Sequence, residues 1–130
     1  MNHTLKSAVR KGALVGTDAL GTMTANGRQL PNFLIIGGQR CGTTTLFKTL
    51  VQHPAVLGPT LRKGVHYFDL CSSRPTSWYR ARFPTTRHVR RLERRLGTRV
   101  MVGESSPYYM WHPLGPQRIA SELIGNAEAN

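Results

Sequence analysis

The chain has little with which to staple or anchor itself. It carries two cysteines, Cys41 and Cys71, in 130 residues. That is too few for a disulfide framework, and no Cys/His spacing reads as a zinc site. Disulfide-rich miniproteins and zinc fingers are therefore excluded, and no metal ligand set is expected. No apolar run reaches about 18 residues, so no transmembrane helix is readable. The N-terminus shows no apolar segment followed by a cleavage site, so no secretion signal is evident. A cytoplasmic, reducing setting is the default expectation. Negative charge is also scarce. Six Asp and Glu stand against eighteen Lys and Arg, giving a net charge of +12.

The length suits a single modest domain, and 39% hydrophobic residues can supply a core. Fourteen of the cations are arginine. Arg87, Arg90, Arg91, Arg94, Arg95 and Arg99 cluster between Thr86 and Val100. Such a cluster is open to three readings. It can bind nucleic acid, form the solvated face of a helix, or help attract a small anion, which needs a shaped site rather than diffuse charge.

Residues 1–30 are rich in Gly, Thr, Ala and Asn and read as a loosely ordered lead-in. A short helix over 4–15 is allowed, but Gly12, Gly16, Gly21 and Gly27 break any longer pattern. Residues 31–130 carry the organised pattern. Phe33-Leu34-Ile35-Ile36 is a continuous apolar run, as in a buried parallel strand, and Gly37-Gly38 ends it. A helix is predicted over 43–52, with Leu46, Phe47, Leu50 and Val51 on one face and Pro54 closing it. The aromatic segment Val65-His66-Tyr67-Phe68 follows, then a short helix over 77–82. The helix predicted over 86–96 turns Val89, Leu92 and Leu96 inward and its arginines outward, with Gly97 as C-cap. A second buried strand is predicted over 99–103, a loop over 105–113, and a helix over 116–124 with Ile119, Leu123 and Ile124 inward. Alternation of strand and helix implies an α/β fold, a parallel sheet flanked by helices. Two strands do not complete such a sheet. The pattern reads as the front of a larger domain, cut after the second strand and the helix behind it.

The stretch from Gly37, GGQRCGTT, lies between a strand and a helix, where a phosphate loop belongs. Its glycines let backbone N–H groups turn towards an anion, and the helix start adds unpaired donors and a positive dipole end. The Gly37-x4-Gly42 spacing resembles a Walker A loop, but Thr43 stands where its Lys is expected. The cation is Arg40, inside the loop. That arrangement suits a grip on a terminal phosphate without a metal better than an ordinary ATPase. A nucleotide-binding, kinase-like protein remains the alternative, though Val100–Val102 leads into Gly103-Glu104 with no Mg²⁺-binding Asp. A glycine-rich turn that binds nothing is the plain reading.

PNFLIIGGQRCGTTTLFKTLVQHPAV, from Pro31 to Val56, resembles the opening of sulfotransferase domains that use 3′-phosphoadenylyl sulfate (PAPS), in particular the heparan-sulfate-type branch and its bacterial relatives. KGVHYFD from Lys63 and GESSPYYMWHP from Gly103 extend the resemblance in the family's order. The resemblance implies a P-loop-type fold and PAPS as sulfuryl donor. It implies that Gly38, Gln39, Arg40, Cys41, Gly42, Thr43 and Thr44 hold the 5′-phosphosulfate, with Arg40 where the family often has a catalytic Lys. The acceptor would be a hydroxyl or amine on a carbohydrate, a lipid-linked sugar or a small molecule; no metal and no nucleic acid is implied.

The family's general base is commonly a Glu, and the matching position is Gly64. His66 is the nearest replacement and Asp69 the second; the other reading of His66 is a structural histidine beside Tyr67 and Phe68. Lys63 either assists at the phosphosulfate or is a solvated loop residue. Glu104 either anchors a loop or faces the acceptor. Ser105 stands where relatives can carry Lys, and Tyr108, Tyr109 and Trp111 either line an acceptor cleft or pack in the core. The family's 3′-phosphate site is an Arg and a Ser beyond Asn130. The implied expectation is weak PAPS binding and little or no turnover by this chain alone.

Overall fold

The computed structural model describes residues 19–125, and the helix allowed over 4–15 lies outside them. Three parallel strands form the sheet: β1 (Phe33–Ile35), β2 (Val56–Leu57) and β3 (Met101–Ser105), in the order β1-β3-β2. The α/β architecture matches the pattern in the sequence, with one addition. The strand anticipated as second is third, because Val56–Leu57 pairs with Met101 and Val102 on the far side of β3. Two residues after a proline-broken helix carry no periodicity, so this strand has no signal of its own.

β3 is central, and a central parallel strand is covered on both faces. Val102, Gly103, Glu104 and Ser105 are accordingly buried, as is Val100 just before the strand. β1 is an edge and only half-buried, against the expectation of a buried strand. Phe33 pairs with Gly103. Its ring lies so close over that glycine that a Cβ there would run into it, which explains glycine in the middle of a core strand. Asn32 extends the ladder: its N–H donates to the Val102 carbonyl (2.8 Å), and its Oδ1 accepts from Val102 N–H (2.9 Å).

Helix α1 (Thr43–Leu50) follows β1, α2 (Thr76–Arg80) and α3 (Thr86–Leu96) lie between β2 and β3, and α4 (Gly115–Ile119) runs on into a π-helical turn, Ala120–Ile124. A 3-10 turn, Pro107–Met110, occupies the stretch anticipated as loop. The inward face anticipated for α1 is corrected: only Thr43 and Phe47 are buried, and Leu46 is 51% exposed. Ile124 is likewise exposed, while Ile119 and Leu123 pack on the core.

That core is aromatic. Tyr67 stacks on Tyr79 at 4.6 Å between ring centroids, and Phe68 meets Tyr79 edge-on at 5.1 Å. Phe83 and Tyr109 complete the cluster. Ring pairs in these geometries add roughly 0.5–1.5 kcal/mol each beyond their buried area.

The lead-in is not loose over its described end: Gly21 lies against Ala81, Ala25 is buried in a 3-10 turn (Ala25–Gly27), and residues 28 and 29 are hydrogen-bonded to the domain. Arg28 bridges Thr85 and donates from Nη1 to the Phe83 carbonyl (2.7 Å), and Gln29 N–H donates to the Pro84 carbonyl (3.0 Å).

Helix α3 has the bounds its sequence predicts. Thr85 accepts from His88 N–H at 3.2 Å as N-cap, and Gly97 ends the helix at φ 66°. Arg87, Arg90, Arg91, Arg94 and Arg95 are all exposed, and none forms an ion pair among the described residues. Since an N-cap hydroxyl satisfies an otherwise unpaired first-turn donor, Thr85→Ala should lower unfolding stability by about 1 kcal/mol in urea titration. A midpoint equal to that of the parent would show the cap to be idle.

Candidate functional site

The candidate residues gather at the C-terminal edge of the sheet, where open α/β folds bind their ligands. Two hydrogen bonds tie the three segments together there. Ser106 N–H donates to the Ile35 carbonyl at the end of β1 (3.2 Å), and Ser105 N–H donates to the Lys63 carbonyl (2.8 Å).

From Ile35 the chain enters the glycine-rich loop. Arg40 (φ 59°) and Gly42 (φ 80°) both adopt the left-handed conformation. For glycine this is free; for arginine it costs about 1–2 kcal/mol, so the surroundings must hold it. Cys41 N–H donates back to the Gly38 carbonyl (3.3 Å), and Cys41 Sγ lies 3.4 Å from the Gln39 carbonyl oxygen. Cys41 is thus engaged with the loop's own backbone. Gln39, Arg40, Cys41, Gly42 and Thr44 are exposed, and Gly38 is half-buried. Thr43 differs from its neighbours: it is buried, its methyl facing Gly37. Gly42 caps α1 without a side chain, which leaves the first-turn amides of Thr43, Thr44 and Thr45 directed out of the helix end. Lys63 reaches across from the next segment, donating from Nζ to Thr44 Oγ1 at 2.6 Å. The loop therefore combines one guanidinium, one ammonium, hydroxyls and a helix start.

Among the described residues, His66 is the other non-glycine with positive φ, at 55°. Three consecutive amides fix that turn. Val65 N–H donates to Glu104 Oε2 (2.6 Å), His66 N–H to Ser106 Oγ (3.2 Å) and Tyr67 N–H to the Tyr109 hydroxyl (2.8 Å). His66 Nδ1 lies 2.9 Å from Asp69 Oδ2; the imidazole side chain is 42% exposed and that of Asp69 fully sealed. An ionised carboxylate only accepts, so Nδ1 is the nitrogen that donates, and in the neutral ring the lone pair is then on Nε2. Asp69 is further held through Oδ1, which accepts from Leu70 N–H at 2.7 Å. The two histidine readings meet here: His66 is rigidly held and still open to solvent.

Glu104 is fully buried. Besides Val65 N–H it accepts from Ser106 Oγ (2.8 Å), Tyr79 OH (2.7 Å) and Tyr109 OH (2.9 Å). Burial pushes its carboxyl above the ordinary value, outweighing the opposite pull of these hydrogen bonds. Burial, and next the nearby Glu104 charge, push the Tyr79 and Tyr109 hydroxyls upward too. Of its two readings, Glu104 takes the loop anchor.

Gly64 cannot be a carboxylate site in this backbone, since a Cβ there would run into the Ser105 carbonyl oxygen. Ser105 is buried, and its hydroxyl has no hydrogen-bond partner among the described residues. The aromatics divide: Tyr109 is core, whereas Tyr108 and Trp111 are exposed, Trp111 at 67%. The Lys63–Thr44 contact and the triple amide clamp had no signal in the sequence, because both join residues far apart along the chain.

An α/β protein with a parallel sheet, and a strand–loop–helix at its C-terminal edge, is the class these features define. No protein-family model matches the chain. It is 34% identical over 98 residues to the human bifunctional heparan sulfate N-deacetylase/N-sulfotransferase 3, a match covering 72% of this chain and 10% of the relative. It is 29% identical over 94 residues to the membrane-associated sulfotransferase kil1 of Dictyostelium discoideum, covering 72% of this chain and 18% of that protein. It is 39% identical over 59 residues to the human heparan sulfate glucosamine 3-O-sulfotransferase 6, covering 45% and 17%. The chain belongs to the sulfotransferase family. It spans between a tenth and a fifth of the length of these relatives.

Proposed function

We propose that this chain forms the donor-gripping loop and the base of a PAPS-dependent sulfotransferase. The observation that carries the reading is the Lys63–Thr44 hydrogen bond. It places a second cation at the mouth of the Arg40 loop, three residues before the His66–Asp69 pair. The loop offers what a phosphosulfate requires: two cations, exposed hydroxyls and outward amides at a helix start. PAPS supplies the sulfuryl group and a phosphate leaving group. Arg40 and Lys63 neutralise charge that develops on the leaving oxygen. His66 Nε2 takes the proton of the acceptor hydroxyl or amine as its bond to sulfur forms, and Asp69 steadies the resulting imidazolium from Nδ1.

An ATPase or kinase-like reading needs an acidic side chain facing the loop. The acid at the end of β3 is Glu104, which is spent on buried hydrogen bonds. The exposed arginines of α3 keep nucleic acid as the competing partner; salt-sensitive DNA or RNA binding that ignores PAP, the desulfated donor, would favour it.

Calorimetric titration of the chain with PAP tests the proposal. Arg40→Ala should weaken PAP binding by about tenfold or more, the value of one charge-assisted hydrogen bond. Equal affinity in parent and variant would remove Arg40 from the site. No binding by the parent would remove the proposal.

A further inference from the structure

Helix α3 carries charge that the donor loop leaves unused. It is 11 residues long, about 16 Å. At about 100° per residue, Arg90, Arg94, Arg87, Arg91 and Arg95 leave its axis over an arc of about 140°. All five are exposed, and Val89, Leu92 and Leu96 hold the opposite side against the core. Arg99, exposed beyond the Gly97 cap, continues the charge.

Nothing nearby offsets it. None of the five forms an ion pair or a side-chain hydrogen bond among the described residues. Glu93 is the one acid on the helix, and its Oε1 accepts from Val100 N–H at 3.1 Å. The spacing instead sets like charges against each other. Arg87 neighbours Arg90 and Arg91, Arg94 neighbours the same two, and Arg91 neighbours Arg95. Like charges three or four residues apart destabilise a helix, and mixed signs would keep the surface soluble without that cost.

The convex arc selects the shape of the partner. A flat anionic layer, such as lipid headgroups, meets the crest at Arg87 and Arg94 and leaves Arg90 and Arg95 on the flanks. An extended single strand follows one row. A groove with phosphates on both walls meets crest and flanks together. The major groove of B-DNA is about 12 Å wide, and a helix with its side chains is about 10–12 Å across. In A-form RNA that groove is too deep and narrow to admit side chains.

We propose that the outer face of α3 docks double-stranded DNA. The helix lies in the major groove, and Arg87, Arg90, Arg91, Arg94 and Arg95 grip phosphates of both strands. Contacts of this kind position a protein on a duplex without reading its sequence. Through Gly97 the helix leads to the start of β3, so its last arginines lie at the sheet edge opposite the candidate site. DNA and PAP therefore need not compete, and the inference does not rest on the donor-loop reading.

Fluorescence anisotropy of a labelled duplex of about twenty base pairs, two turns of B-DNA, tests it with the full chain. Saturable binding is expected, with log K falling against log salt at a slope of about −4 to −5, as five neutralised phosphates require. Arg94→Gln should weaken binding several-fold and make the slope shallower by about 1. Arg62→Gln removes the same charge at an exposed position beside Lys63 and should do much less. Replacing all five arginines by Gln should abolish saturable binding. Circular dichroism should show that variant folded, since the change relieves the like-charge pairs.

No saturable binding by the parent, or an equal loss in Arg62→Gln and Arg94→Gln, would overturn the proposal. So would single-stranded DNA or duplex RNA held as tightly as duplex DNA, or phosphatidylserine vesicles competing equally per charge. PAP added to the same samples keeps the two readings apart. Displacement of DNA by PAP would put both at one site and sink this inference. Failure of PAP to bind, with DNA held through α3, would sink the sulfotransferase reading alone.

Discussion

Glu104→Ala is expected to cost roughly 4 kcal/mol of unfolding stability, a large share of the ~5–15 kcal/mol typical of a small domain. The carboxylate accepts from four donors in a fully buried setting. Its removal leaves Val65 N–H and three hydroxyls to find partners in a dry core, each unpaired group costing about 1–3 kcal/mol. Urea unfolding followed by circular dichroism measures it; a loss under about 1 kcal/mol would mean that water or a shifted side chain replaces the anchor. Glu104→Gln should cost less, since the amide keeps one acceptor and the hydroxyls can turn. It should also change the pH profile. With the folded carboxyl pushed upward, the folded state holds a proton that the unfolded state has released. This contribution is therefore complete below the unfolded carboxylate pKa of about 4.3 and is lost as pH rises through the higher folded value. The stability difference between parent and Glu104→Gln should fall with pH across that window, and a flat difference would contradict the upward shift.

In any polypeptide that carries this chain and transfers sulfuryl groups, His66→Ala should lower turnover by about 10²–10⁴. PAP affinity should stay within twofold or so, as the donor loop does not touch the imidazole. Asp69→Asn should fall between parent and His66→Ala, because a side-chain amide can donate to Nδ1 and stabilise the wrong tautomer. Single-turnover assays beside PAP calorimetry read the two quantities apart. Turnover unchanged in His66→Ala would strip the residue of its role, whatever became of Asp69.

The parts of this fold legible in the sequence are those coded locally. Helix α3 has the predicted bounds because Thr85, Gly97 and the Val89-Leu92-Leu96 spacing each act within a turn or two. The glycine-rich loop is equally local, and it stands between β1 and α1 where the pattern puts it. What stayed hidden depends on distant partners. Val56–Leu57 is a strand because Met101 and Val102 lie beside it. Leu46 is apolar at helical spacing yet exposed, since periodicity says which side a residue is on and not what covers that side. The candidate site divides the same way. Its residue types were visible at Arg40, His66 and Asp69. Its assembly was not: Lys63 meets Thr44 nineteen positions away, and Val65 meets Glu104 thirty-nine away.

The end of β3 acts as a common mooring post. Through consecutive amides, Ser105 ties up the irregular run ahead of the imidazole, and Ser106 ties up the segment that opens into the glycines. Neither neighbour can drift without dragging on the other. The gap between the Gly37–Thr44 loop and the His66 imidazole is thus set before any molecule arrives, and a guest must fit that spacing rather than create it.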